Sequence, residues 1–187
     1  MNNKEVNTNN EVLTKIDDII KKKKNSFKYS LSDVILFLLY SDNRPIQGKI
    51  KQMKEIFLVL QEVLYEQDIQ PIKFQRHRFG PYSELVEYVI DQLLFSNHIL
   101  TRGKKTSNDF SIEITPKGRD YIKHKFNELP INIQKRLKRK RDEWDTLTSK
   151  GILKLVYEHY PDYLENAVLK KRYERLNWDS DNKEKKR

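Results

Sequence analysis

The period of the apolar residues changes several times along this chain, and each change predicts an element. In SLSDVILFLLYSD, the run Val34–Tyr40 is apolar throughout. That is too dense for a surface stripe, so it predicts a core helix, with Ser30 or Ser32 supplying the hydroxyl that caps its free amides. SDNRPIQG then interrupts the pattern as a turn. In KIKQMKEIFLVLQEVLYE, Ile50, Met53, Phe57, Leu60 and Leu64 recur at helical spacing. Ile56 and Val63 widen the stripe, while Lys51, Glu55 and Glu62 fall opposite, so a long amphipathic helix is expected. IKFQRHRF, after Pro71, alternates like a short strand or extended link. Gly80-Pro81 reads as a helix entrance, because proline in a first turn forfeits no hydrogen bond. The next helix, placed at 82–95, is expected to bury Leu85, Val86, Val89, Ile90, Leu93 and Leu94. Glu84, Glu87, Tyr88 and Asp91 would then face outward.

The period falls to two in SNHILTRGKKTSNDFSIEITPKG, where Phe110, Ile112 and Ile114 alternate and GKKTSND has the chemistry of a hairpin tip. Thr115-Pro116-Lys117-Gly118 opens a further helix, RDYIKHKF. A helix running directly into a hairpin is the winged helix-turn-helix plan, in which that helix normally enters the DNA major groove. The predicted fold is therefore mainly α with a small β-hairpin: a winged helix-turn-helix-like domain at 28–128 with a C-terminal helical extension at 129–176. Residues 1–27 read as a mobile, Asn-rich arm ending in basic residues, and 177–187 as a disordered tail. In the extension, Ile133, Leu137 and Trp144 form one narrow stripe. Tyr157, Tyr160 and Tyr163 share a helical side and are expected to dock the extension on the core, although an aromatic binding platform is the alternative.

Composition narrows the setting. The net charge is +10, and residues 130–187 hold 16 basic against 10 acidic side chains, so the polycation is concentrated in the last third. The absence of Cys removes disulfides and thiolate metal sites. The first residues lack the apolar block of a signal peptide, and the run at Val34–Tyr40 is too short to span a bilayer. A soluble cytoplasmic protein is expected, with no cofactor.

PIQGKIKQMKEIFL, FGPYSELVEYVIDQL, SIEITPKGRDYI and LVYEHYPDY together cover about residues 31–165. In these segments the chain resembles prokaryotic YwgA-like winged-helix-like proteins and, more distantly, the Panacea antitoxin-type domain. The resemblance implies a winged-helix fold in a prokaryotic cytosol. Through the Panacea link it also implies neutralisation of a toxin by protein contact. It carries over no catalytic residue.

Charge nominates a polyanion surface. Lys135, Arg136, Lys138, Arg139, Lys140 and Arg141 gather within about two helical turns and could neutralise several phosphates. Arg102, Lys104 and Lys105 lie at the wing tip, and Lys49, Lys51 and Lys54 on the second helix. Arg76 and Arg78 stand upstream of Tyr82 and Ser83, which would sit at the positive end of the helix before the wing. The expected function is non-enzymatic: a DNA-binding transcriptional or defence-associated regulator gripping duplex DNA through its backbone, with a homodimer as a candidate assembly. The rest of that helix argues otherwise, since Glu84, Glu87 and Asp91 would repel phosphates. The alternative is a protein-binding adaptor or antitoxin-like module using Glu84, Glu87, Tyr88 and Asp91, and RNA is a further candidate partner. His77, His98, His124 and His159 show no metal spacing. Pro161-Asp162 with Glu184-Lys185-Lys186 resembles a nuclease signature, but its second carboxylate falls in the polar tail, away from any rigid frame.

Overall fold

The computed structural model describes residues 27–104 and 109–164. The arm up to residue 26, Lys105 and the chain after Leu164 lie outside these. The first helix, α1 (Leu31–Tyr40), begins at Ser30, whose hydroxyl accepts from the Asp33 amide while the Asp33 carboxylate accepts from the Ser30 amide. This reciprocal pair satisfies two otherwise orphaned donors. Nearly every α1 side chain is buried, as its apolar density requires.

Strand β1 (Ile46–Gln47) follows, then α2 (Lys49–Leu58), whose last turn widens into a π-helical turn at Val59–Val63. A two-stranded ribbon comes next, β2 (Gln75–His77) and β3 (Gly80–Tyr82), closed by the turn Arg78-Phe79. Helix α3 (Glu84–Phe95) leads into the hairpin β4 (Ile99–Arg102) and β5 (Ser111–Ile114). The hairpin and β1 form one antiparallel sheet in the order β1-β5-β4, with Ile46 opposite Ile112 and Ile99 opposite Ile114. The succession α1-β1-α2-α3-β4-β5 with this strand order is a winged-helix arrangement. The β2–β3 ribbon is an insertion between its second and third helices. Mainly helical architecture with a small hairpin is thus the observed fold.

Helix α4 (Pro116–Asn127) starts at Thr115, whose hydroxyl accepts from the Gly118 amide, with Pro116 in the first turn. Gly118 is required by space: a Cβ there would lie 2.1 Å from the His98 carbonyl oxygen. Lys125 of α4 donates to both oxygens of the buried Asp33, at 2.9 and 3.0 Å, and so ties α4 to the cap of α1. Helices α5 (Ile131–Asp145) and α6 (Ser149–His159) and the 3-10 turn Pro161–Leu164 complete the described chain. Ile133, Leu137 and Trp144 are buried as their spacing predicts. Phe57 of α2 meets Tyr160 and Tyr163 at centroid distances of 4.9 and 5.2 Å, so these tyrosines dock the extension on the winged-helix core. Among the described residues, no helix is long and apolar enough to cross a membrane.

Two sequence expectations change here. Gly80-Pro81 does not open α3. It belongs to β3, and Ser83 precedes the helix in an extended conformation. Gly80 has φ +79°, and a Cβ would stand 3.1 Å from the Tyr157 ring, so the glycine serves the ribbon turn and a close ring approach. The polar side of α2 does not face solvent either. Lys51, Gln52, Lys54 and Glu55 are all buried, because α6 and β3 pack onto α2.

Candidate functional site

Two surfaces compete as the functional site: the cations named from the sequence, and the outward face of α3. The cations are mostly engaged. Arg141 lies on the same stripe as Ile133, Leu137 and Trp144, at helical spacing from each, and is fully buried. Its Nη1 donates to Asp145 at 2.8 Å and stands 3.3 Å from Glu55, and its Nη2 donates to the Pro45 carbonyl at 2.9 Å. Lys51, also buried, donates to the Asp145 carbonyl at 3.0 Å and lies 3.7 Å from Glu55. Arg44 adds ion pairs to Asp42, Asp142 and Asp145. Burial pushes the Glu55 carboxyl up to about 7, against the pull of the Arg141 and Lys51 charges. Burial also works on Asp145, but the hydrogen bond and charge of Arg141, with Lys51 and Arg44, hold it below its ordinary value. This network cross-links α2, α5 and the turn after α1.

Lys54 donates to the Pro81 carbonyl at 2.7 Å, and burial pushes its amine down to about 7. It clamps β3 onto α2. Lys51, Lys54 and Arg141 are therefore structural, and the expectation that they contact a phosphate backbone is corrected: none reaches the surface. Ser83 is buried as well. Tyr82 is half-buried and stacked on His77 at 4.8 Å. Burial and the neighbouring Glu87 raise its hydroxyl.

The remaining cations are exposed or half-buried, and several are paired. Lys49 stands 3.7 Å from Glu87, Arg102 donates to Glu113 at 2.6 Å, and Arg139 lies 3.8 Å from Glu143. Half-buried Lys140 sits between Glu62 and Glu143 at 3.0 and 3.3 Å. Arg136 lies over the Tyr65 ring at 5.5 Å. Lys135 and Lys138 are exposed, and among the described residues no carboxylate pairs with either. Arg76 and Arg78 are exposed on the β2–β3 ribbon, and Lys104 is exposed at the wing. More than half of the net charge of +10 is carried by residues outside the described ones.

The outward face of α3 has the opposite character. From Gly80 to Thr101 the chain has no Lys or Arg. Glu84 and Asp91 are exposed as expected, as is Tyr88 at 60%. Leu85, expected in the core, is 39% exposed, and Phe95 is 89% exposed. Only Val86 and Leu93 of this helix are fully buried. The sequence signal for this was an excess: apolar residues at 85, 86, 88, 89, 90, 93, 94 and 95 encircle the helix, more than one buried face can accept. Beside the carboxylates, a shallow cleft opens between α2 and α3. Met53, Ile90, Leu94 and Phe110 form its floor, and Lys49, Gln52, Glu87 and Asp91 its rim.

Comparison of the chain with protein-family models and with curated protein sequences returns no match.

Proposed function

We propose that this chain is a non-enzymatic protein-binding module, an adaptor or an antitoxin-like partner, that uses the outward face of α3. One observation carries the reading. The helix that a DNA-reading winged helix lays in the major groove here offers Glu84, Asp91 and exposed Leu85, Tyr88 and Phe95, with no cation along its length. Carboxylates facing phosphates are repulsive, whereas aromatic and apolar side chains rimmed by charge suit protein recognition. The antitoxin-like form of the proposal comes only from the Panacea resemblance. A photoreactive phenylalanine analogue placed at position 88 in cells should give covalent protein adducts, while the same group at position 138 gives none. Adducts from position 138 alone would contradict the proposal.

A second reading, sequence-independent contact with nucleic-acid phosphates, has support from Lys135 and Lys138, which project from α5 without a carboxylate partner among the described residues. In a titration with arbitrary duplex, the log–log salt slope should fall by roughly two when Lys135→Glu and Lys138→Glu are combined. An unchanged slope would remove this reading.

A further inference from the structure

We infer that the partner of α3 is a basic amphipathic α-helix, lying along the outer face of α3 as the second member of a short coiled-coil-like seam. This rests on the protein-contact reading above and adds the chemistry of the partner. Leu85, Tyr88, Gln92 and Phe95 follow one another at intervals of three, four and three residues, the spacing of a and d positions in a heptad. In a buried helix such a stripe faces the core, but here Leu85, Gln92, Tyr88 and Phe95 all face solvent. A stripe with this period matches another helix, because successive turns of a partner meet it in register.

The flank specifies charge. Glu84 and Asp91 are seven residues apart, each one position before a member of the stripe, and Glu87 continues the acidic side toward the cleft. Residues flanking a helical seam choose the partner by charge, so cations on the partner's flank would be selected. Among the described residues, Lys49, 3.7 Å from Glu87, is the one cation of the cleft rim. A second copy of this chain is disfavoured, since an antiparallel α3–α3 contact would set Glu84 against Asp91 twice over. Twelve residues of α3 offer roughly 18 Å of helix, enough for three turns of contact and a transient rather than obligate interface.

The test uses the full chain and a dye-labelled synthetic helix with Leu at its a and d positions and Lys at its flanks. A counterpart with every Lys replaced by Glu is the control. Fluorescence anisotropy should show saturable binding of the Lys peptide, with the Glu peptide at least about tenfold weaker. Tyr88→Ala combined with Phe95→Ala should weaken Lys-peptide binding by about tenfold or more. Glu84→Lys with Asp91→Lys should reverse the preference toward the Glu peptide. Equal binding of both peptides, binding of neither, or a preference untouched by the charge reversal would overturn the inference. If it fails while the photoreactive group at position 88 still joins to a protein through a segment that is not a basic helix, the broader protein-contact reading stands alone. If position 88 yields no adduct either, both fall.

Discussion

Helices α2 and α3 face each other across the cleft, and they depart from a simple amphipathic pattern in opposite directions. In α2 the charged residues Lys51, Lys54 and Glu55 are inside the protein. In α3 the apolar residues Leu85, Tyr88 and Phe95 are outside. The difference lies in what covers each helix. Helix α2 is the hub: α6 and β3 pack on its polar side, and Arg141 of α5 reaches it with the compensating charge. Helix α3 packs chiefly against α1 and β4 and borders the cleft to α2, while Glu84, Leu85, Tyr88, Asp91, Gln92 and Phe95 on its other side are exposed. Binary pattern states which residues share a face. It does not state whether that face meets solvent, protein or a partner.

The largest effect is expected from removing the charge that makes the polar side of α2 an interior. Arg141→Met keeps the aliphatic stem but leaves Glu55, Asp42 and Asp145 facing one another. Removing one member of a buried ionic network costs about 3–5 kcal/mol, which urea denaturation would register. Lys138→Ala, on the exposed side of the same helix, should stay within about 0.5 kcal/mol. Similar losses for both would mean that Arg141 is not the buried member of the pair.

A smaller effect isolates Lys54. The unfolded chain holds this proton to about 10.5, whereas in the folded protein burial lowers the value to about 7. Between those values the unfolded state binds more protons, so stability rises with pH and the gain is lost on acidification toward 7. Relative to Lys54→Met, wild-type protein should gain on the order of 1 kcal/mol per pH unit between pH 7 and 9. Parallel pH profiles for the two proteins would show that Lys54 titrates as in solvent. The smallest stability effect belongs to α3: Tyr88→Ala and Phe95→Ala should each shift stability by no more than about 0.5 kcal/mol, since little is buried to lose. A loss above about 2 kcal/mol at either position would place that side chain in the core and remove it from the contact surface.

Local chemistry made much of the fold legible. The Ser30 cap, the Thr115-Pro116 helix start and the hairpin with Phe110, Ile112 and Ile114 inward all depend on neighbours a few residues away. The docking tyrosines were marked by the helical side they share, although their partner Phe57 is distant. What escaped depends on distant packing. Gly80-Pro81 fits a helix entrance and a ribbon turn equally well, and the Tyr157 ring that needs Gly80 is far along the chain. Arg141 was the readable exception: its place on the Ile133–Leu137–Trp144 stripe marks it as inward-facing, although its charge marks it as surface. Lys51 and Lys54 carried no such mark. Of the cations proposed for a polyanion, the structure leaves Lys135 and Lys138 clear of carboxylates among the described residues, while the acidic residues of α3 stand outward as their spacing required.

On the proposed function, α3 recruits a cationic protein segment and does not read DNA. Amide chemical-shift mapping of the full chain tests it directly, in one titration with the Lys-flanked peptide and a second with a short arbitrary DNA duplex. The peptide should move the resonances of Glu84–Phe95 and the cleft residues Met53 and Phe110, and the duplex should leave those resonances in place. Duplex-induced shifts concentrated on Glu84–Phe95 would contradict the claim and restore α3 as a groove reader.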